Sequence, residues 1–135
     1  MLVKDGEGVT KLVEIFIKGA ASDADAARIA STVAHSNLVK TALFGEDANW
    51  GRIIAAVGRA GVPVDPDRVD IHFDAVQMVA NGMGCGQAAE AEATRIMKQD
   101  KYAISVDLKM GSGSAEMITC DFSVEYVKIN ADYRT

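Results

Sequence analysis

Histidine, cysteine and proline are scarce in these 135 residues, with two of each, and each scarcity closes a route. His35 and His72 stand in no spacing with Cys85 or Cys120 that a zinc centre uses, so no metal site is expected. Two cysteines allow at most one bridge, and in a chain without a leader reduced thiols are the expectation. Positive charge is short as well. Fourteen Lys and Arg against nineteen Asp and Glu leave a net charge of −5, which provides no basic surface for phosphates and excludes nucleic acid as a partner. No apolar run reaches the ~20 residues that span a bilayer, so no membrane partner is expected. Met1-Leu2-Val3-Lys4-Asp5 lacks the basic and apolar regions of an export signal, and a cytoplasmic location follows as the expectation.

What remains is an ordinary globular composition, 49% hydrophobic and 24% charged. One domain with its own core is expected over 1–135, with residues 62–68, around Pro63 and Pro66, as the place where a subdomain junction would fall. Alternation predicts a strand over 12–18, with Val13, Ile15 and Ile17 on the buried face. Ser22 reads as an N-cap, with Asp23 and Asp25 in the first helical turn and a stripe of Ala26, Ile29, Ala30 and Val33 behind it. His35 then falls at the helix end and His72 on the outward side of a strand. Leu38 to Phe44 reads as a second strand, followed by a polar turn and a helix from Trp50 to Arg59, closed by Gly61. Short strands are predicted over 69–73 and 76–80, a helix over 87–98, and a final antiparallel pair over 102–108 and 117–126. The fold class is α+β, with helices packed on a mostly antiparallel sheet.

Three groups of residues invite a chemical reading. Asp5-Gly6-Glu7-Gly8 sets a carboxylate between two glycines, which allow close backbone approach; by itself it is also an ordinary solvated turn. Gly45-Glu46-Asp47-Ala48-Asn49-Trp50 is a turn into a helix, where unpaired N–H groups can meet a ligand. Asp47 or Asn49 serves equally well there as a helix cap, with Trp50 as a core anchor. The end of the chain, Asn130-Ala131-Asp132-Tyr133-Arg134-Thr135, crowds hydrogen-bonding groups beside a terminal carboxylate. Gly84-Cys85-Gly86-Gln87-Ala88-Ala89 fits a GxGxxA pattern, but Glu90 and Glu92 would meet a pyrophosphate with negative charge, and the strands before it read as a meander.

Three long stretches, "KDGEGVTKLVEI" from Lys4, "LVKTALFGEDANWGRIIAAVGRAG" from Leu38 and "VKINADYRT" at the end, resemble the ornithine acetyltransferases, also called glutamate N-acetyltransferases, of arginine biosynthesis. The resemblance spans essentially the whole chain, with Val9 where the family has alanine. It implies a cytoplasmic, self-cleaving enzyme of the N-terminal-nucleophile type, which moves acetyl from N2-acetylornithine to glutamate through an acetyl-threonine. Acetyl-CoA is a further donor in bifunctional members; no cofactor is implied.

The resemblance also implies that Glu7, Asn130 and Thr135 bind substrate, with Gly6, Gly8, Asp47 and Asn49 supporting the site. A carboxylate suits the amine of ornithine, and an asparagine can both donate to and accept from a zwitterion. The family's nucleophile is expected upstream of Asp5, and none of Thr10, Thr32, Thr41, Thr94 and Thr119 matches its motif. The expectation is therefore the C-terminal part of the β chain, without a catalytic nucleophile and inactive alone. It would work with the remainder of the enzyme in an α2β2 assembly and a helix–sheet–sheet–helix sandwich. A stand-alone amino-acid-binding or regulatory module, or an inactive truncation, are the alternatives.

Overall fold

A computed structural model describes residues 11–120. The first strand, β1 (Leu12–Ala20), is followed by three helices: α1 (Asp23–His35), α2 (Asn37–Phe44) and α3 (Trp50–Gly58). A single 3-10 turn at Pro66–Arg68 interrupts the proline loop and leads into β2 (Asp70–Phe73), β3 (Val76–Ala80) and the two-residue β4 (Met83–Gly84). After these come α4 (Gln87–Met97), β5 (Lys101–Asp107) and β6 (Gly113–Cys120). The strands form one sheet in the order β4-β3-β2-β5-β1-β6. Among the described residues only β1 and β5 pair in parallel; the other four pairings are antiparallel. β3, α4 and β5 make a crossover that passes over β2, a split βαβ unit.

Register decides which side chains are buried. Val13, Ile15 and Ile17 stand beside Tyr102, Ile104 and Val106 on one side and Thr119, Met117 and Ala115 on the other. This face joins Ile29, Val33, Ile53, Val57 and Met97 of the helices in one core. Helix α1 lies over β1 and β6, and α4 over β3 and β5. Residues before and after 62–68 share that core. On the other face Leu12, Glu14, Phe16, Ala103, Ser105 and Ile118 are only half-buried.

Two expectations fail. Leu38 to Phe44 is a helix, not a strand. Ser36, buried between α1 and α2, accepts a hydrogen bond from the Val39 N–H at 3.2 Å and starts the helix. Val39, Ala42 and Leu43 then supply a helical stripe, a spacing that a short, mostly apolar segment satisfies as easily as that of a strand. Leu38 stays outside, 58% exposed. The second failure is the final pair: β5 and β6 do not touch, because β1 lies between them. A strand apolar enough to be flanked on both sides took the place between them, and the connection from Asp107 to Gly113 passes its end. There the Met110 and Gly111 N–H groups both donate to Gly19 O, at 2.7 and 2.9 Å.

Smaller shifts accompany these. Helix α3 ends at Gly58, with Arg59 as its cap, so Gly61 (φ +83) turns the chain beyond the helix instead of closing it. β6 begins earlier than expected, at Gly113, and the predicted continuation past Cys120 lies outside the described residues.

Candidate functional site

Gly6, Glu7, Gly8, Asn130 and Thr135 lie outside the described residues. The described chain nevertheless starts and stops at one place. Leu12 at the start of β1 and Cys120 at the end of β6 are register partners. The segment containing Glu7 and the segment containing Asn130 and Thr135 therefore attach to adjacent strands at the same end of the sheet.

The described residues at this end form a charged junction. Lys11, whose side chain is 11% exposed, donates from Nζ to Met97 O at 2.9 Å and to Gln99 O at 3.2 Å. These carbonyls belong to the last turn of α4 and the residues after it, where a helix leaves C=O groups without partners of its own. The same ammonium lies 3.3 Å from Glu46 Oε2, and Lys98 Nζ lies 3.3 Å from Glu46 Oε1. Hydrogen bonds from Lys11 and then Lys98 hold the Glu46 carboxyl below its ordinary range and outweigh the opposing effect of desolvation. Beneath it, the Tyr102 hydroxyl donates to Leu43 O at 3.5 Å. Burial pushes the Tyr102 phenol well above its usual range, and the carboxylates of Glu46 and Asp74 push it further, so it stays protonated.

Backbone geometry explains how Glu46 reaches the junction. At the end of α2, Glu46 N–H donates to Leu43 O at 3.2 Å and Asp47 N–H to Ala42 O at 2.8 Å. This is the Schellman arrangement, whose second partner after the helix adopts the left-handed conformation. Glycine normally fills that place. Here Gly45 stands one position early, and Glu46 takes φ +59. Gly45 is fixed by another constraint, since a Cβ there would lie 2.9 Å from Thr41 O.

Asp47 and Asn49 occupy the corner that follows. Asn49 Oδ1 accepts from Arg52 N–H at 3.3 Å and so caps α3, while its own N–H donates to Asp47 O at 2.7 Å. Asp47 is exposed. Trp50 lies against the turn before α4: a Cβ on Gly84 would fall 2.7 Å from Trp50 Cζ2. Gly84 is thus a glycine because an indole lies against it. Gly86 (φ +105) caps the start of α4, but the strand leading into the glycines, β4, runs antiparallel to β3, and β2 separates β3 from β5, so the GxGxxA stretch lacks the adjacent parallel strands of a dinucleotide site.

The two histidines stand apart. His35 is exposed at the end of α1, its Nδ1 2.8 Å from Ser31 O, and His72 is half-buried on the sheet face opposite the core. Among the described residues no three His, Cys, Asp or Glu side chains gather as a metal site would require, and no helix is long and apolar enough to cross a membrane. Cys85 is exposed and Cys120 buried. Thr32, Thr41 and Thr94 bond back to carbonyls of their own helices. Lys11, Glu46 and Lys98 were not singled out by sequence. Lys11 lies inside a quoted motif, but its partners are far along the chain.

The model of the ArgJ family matches residues 1–135. "Arginine biosynthesis bifunctional protein ArgJ" of Syntrophotalea carbinolica is 57% identical over the whole of this chain, which covers 34% of that protein. Its namesake in Geobacter sulfurreducens is 56% identical, with the same coverage. The crystal structure of the ArgJ protein of Bacillus halodurans superposes with a TM-score of 0.80 at 41% identity, over 90% of this chain and 57% of that one. The chain spans about a third of the length of these curated relatives. It is a member of the ArgJ family.

Proposed function

We propose that this chain is a portion of an ornithine acetyltransferase that moves acetyl from N2-acetylornithine to glutamate through an acetyl-enzyme. In this reading Glu7, Asn130 and Thr135 hold the amino-acid substrate, Glu7 by charge-assisted hydrogen bonds to an amine. Gly6 and Gly8 give it room, while Asp47 and Asn49 shape the neighbouring corner. The nucleophilic threonine and the oxyanion donors come from the remainder of the enzyme. The relatives' name, bifunctional, fits acetyl-CoA as a second acetyl donor in addition to acetylornithine.

One observation carries the reading: Leu12 and Cys120 pair in register, so the two segments holding the three substrate residues are tethered to one end of the sheet. A second supports it. The half-buried face bearing Leu12, Phe16 and Ile118 is too apolar to face water alone, and a second sheet lying on it would complete a helix–sheet–sheet–helix sandwich.

The test uses the complete enzyme that contains this chain. Incubation with N2-acetylornithine should leave one acetyl group on a threonine outside residues 1–135, and added glutamate should remove it. Glu7→Gln should raise the KM for N2-acetylornithine by ~10-fold or more. An enzyme that never acquires the acetyl group, or whose KM ignores Glu7, overturns the proposal.

A further inference from the structure

Glu46 is a carboxylate on strained backbone that no step of acetyl transfer requires. Its left-handed φ of +59 is one that glycine adopts freely and a residue with a Cβ does not. What the conformation provides is the position of the side chain, with one oxygen 3.3 Å from Lys11 Nζ and the other 3.3 Å from Lys98 Nζ. Lys11 in turn ties the start of β1 to Met97 O and Gln99 O at the end of α4. The corner between α2 and α3, the end of α4 and the start of β1 therefore meet at one largely buried ammonium.

From Lys11 four residues lead back to Glu7, a tether of at most ~14 Å at the full extension of a chain. We propose that Lys11 and Glu46 are positioning residues for the substrate-binding carboxylate of Glu7. They fix the last residue before β1, and with it the point from which the Glu7 segment departs. The proposal rests on the reading of Glu7 as a substrate ligand. Such anchoring matters because a misplacement of ~1 Å at a reacting site can cost ~100-fold in rate.

The decisive variant is Glu46→Gly in the complete enzyme. Glycine keeps the left-handed turn without strain and deletes the carboxylate. If Glu46 serves the fold alone, E46G shifts the Tm and keeps wild-type kinetics. If it positions Glu7, the Tm holds while the KM for N2-acetylornithine rises ~10-fold and kcat falls less. Glu46→Gln, which keeps an oxygen for Lys11, should restore most of the loss. An E46G enzyme with the wild-type KM overturns the proposal. Should E46G fail to assemble, Lys98→Met removes the exposed half of the contact without touching the turn. Its KM should rise by roughly threefold, and an unchanged value again overturns the proposal. A wild-type enzyme that transfers no acetyl overturns the functional reading, and the link to substrate with it; a wild-type enzyme that works beside an indifferent E46G overturns the positioning role alone.

Discussion

Where β1 finishes, backbone presses on backbone; where it begins, charged side chains bridge the gaps. At the finishing end a Cβ on Gly113 would collide with Ser22 O, and one on Gly19 with Asp107 Oδ1 and, at 2.6 Å, Lys109 N. The charges there serve the turns: Lys109 Nζ lies 2.9 Å from Asp70 Oδ1 and 2.8 Å from Asn81 Oδ1, and Asp70 Oδ1 also accepts from Asn81 N–H. At the beginning end Lys11, Glu46 and Lys98 reach across from separate elements. The first end has no space to adjust, whereas the second is held by groups that can be exchanged singly. The end from which two segments depart, both proposed to bear substrate residues, is tied by Lys11, Glu46 and Lys98.

Mutation should expose this difference most strongly at the glycines. Gly113→Ala forces a Cβ into a carbonyl that belongs to backbone, and its cost should be ~3 kcal/mol, near the upper end for overpacking, measured as a lowered urea midpoint of the assembled enzyme. Lys11→Met should come next, at ~2 kcal/mol, because it strips a charged donor from the buried Met97 carbonyl and the part-buried Gln99 carbonyl. Lys109→Met, whose ammonium is 29% exposed, should cost ~1 kcal/mol or less. Equal losses for the two lysine variants would erase the contrast between the ends.

Acid provides the mildest probe. Desolvation raises the Asp70 pKa, but the Asn81 amide and the Lys109 ammonium overcome it and hold the group below its ordinary 3.8. Glu46 is likewise held below 4.5. Both pKa values are depressed on folding, so the stability they supply is complete above the unfolded values and is lost as pH falls through the folded ones. The protection factor of the Leu12 amide, beside Lys11, should therefore fall at a pH below 4.5. Asn81 should hold until the pH drops under 3.8. Simultaneous release would mean that the two ends open as one unit.

Much of the fold could be read locally. β1 announced itself by alternation, and α1 by Ser22, whose Oγ accepts from Asp25 N–H at 3.1 Å. The β2–β3 hairpin was equally plain. What escaped was either ambiguous in period, as in the run from Leu38 to Phe44, or decided by partners remote in the chain, as in the insertion of β1 between β5 and β6. The site divides in the same way. Asn49 was legible as a cap because caps act three residues away. Lys11 was not, since its acceptors at Met97 and Gln99 lie at the far end of the chain. Glu46 was hidden by Gly45, the residue that would ordinarily take the left-handed turn.

The place of β1 between β5 and β6 has a consequence for synthesis. Leu12 leaves the ribosome before both of its neighbours in the sheet, Lys101 and Cys120. At translation rates of ~5–20 residues per second, the strand waits roughly 4–18 s for its first partner. Throughout that interval Val13, Ile15 and Ile17 offer a nascent chain two open edges and an apolar face. A ribosome stalled anywhere before Lys101 would leave behind a fragment ready to pair with its own copies.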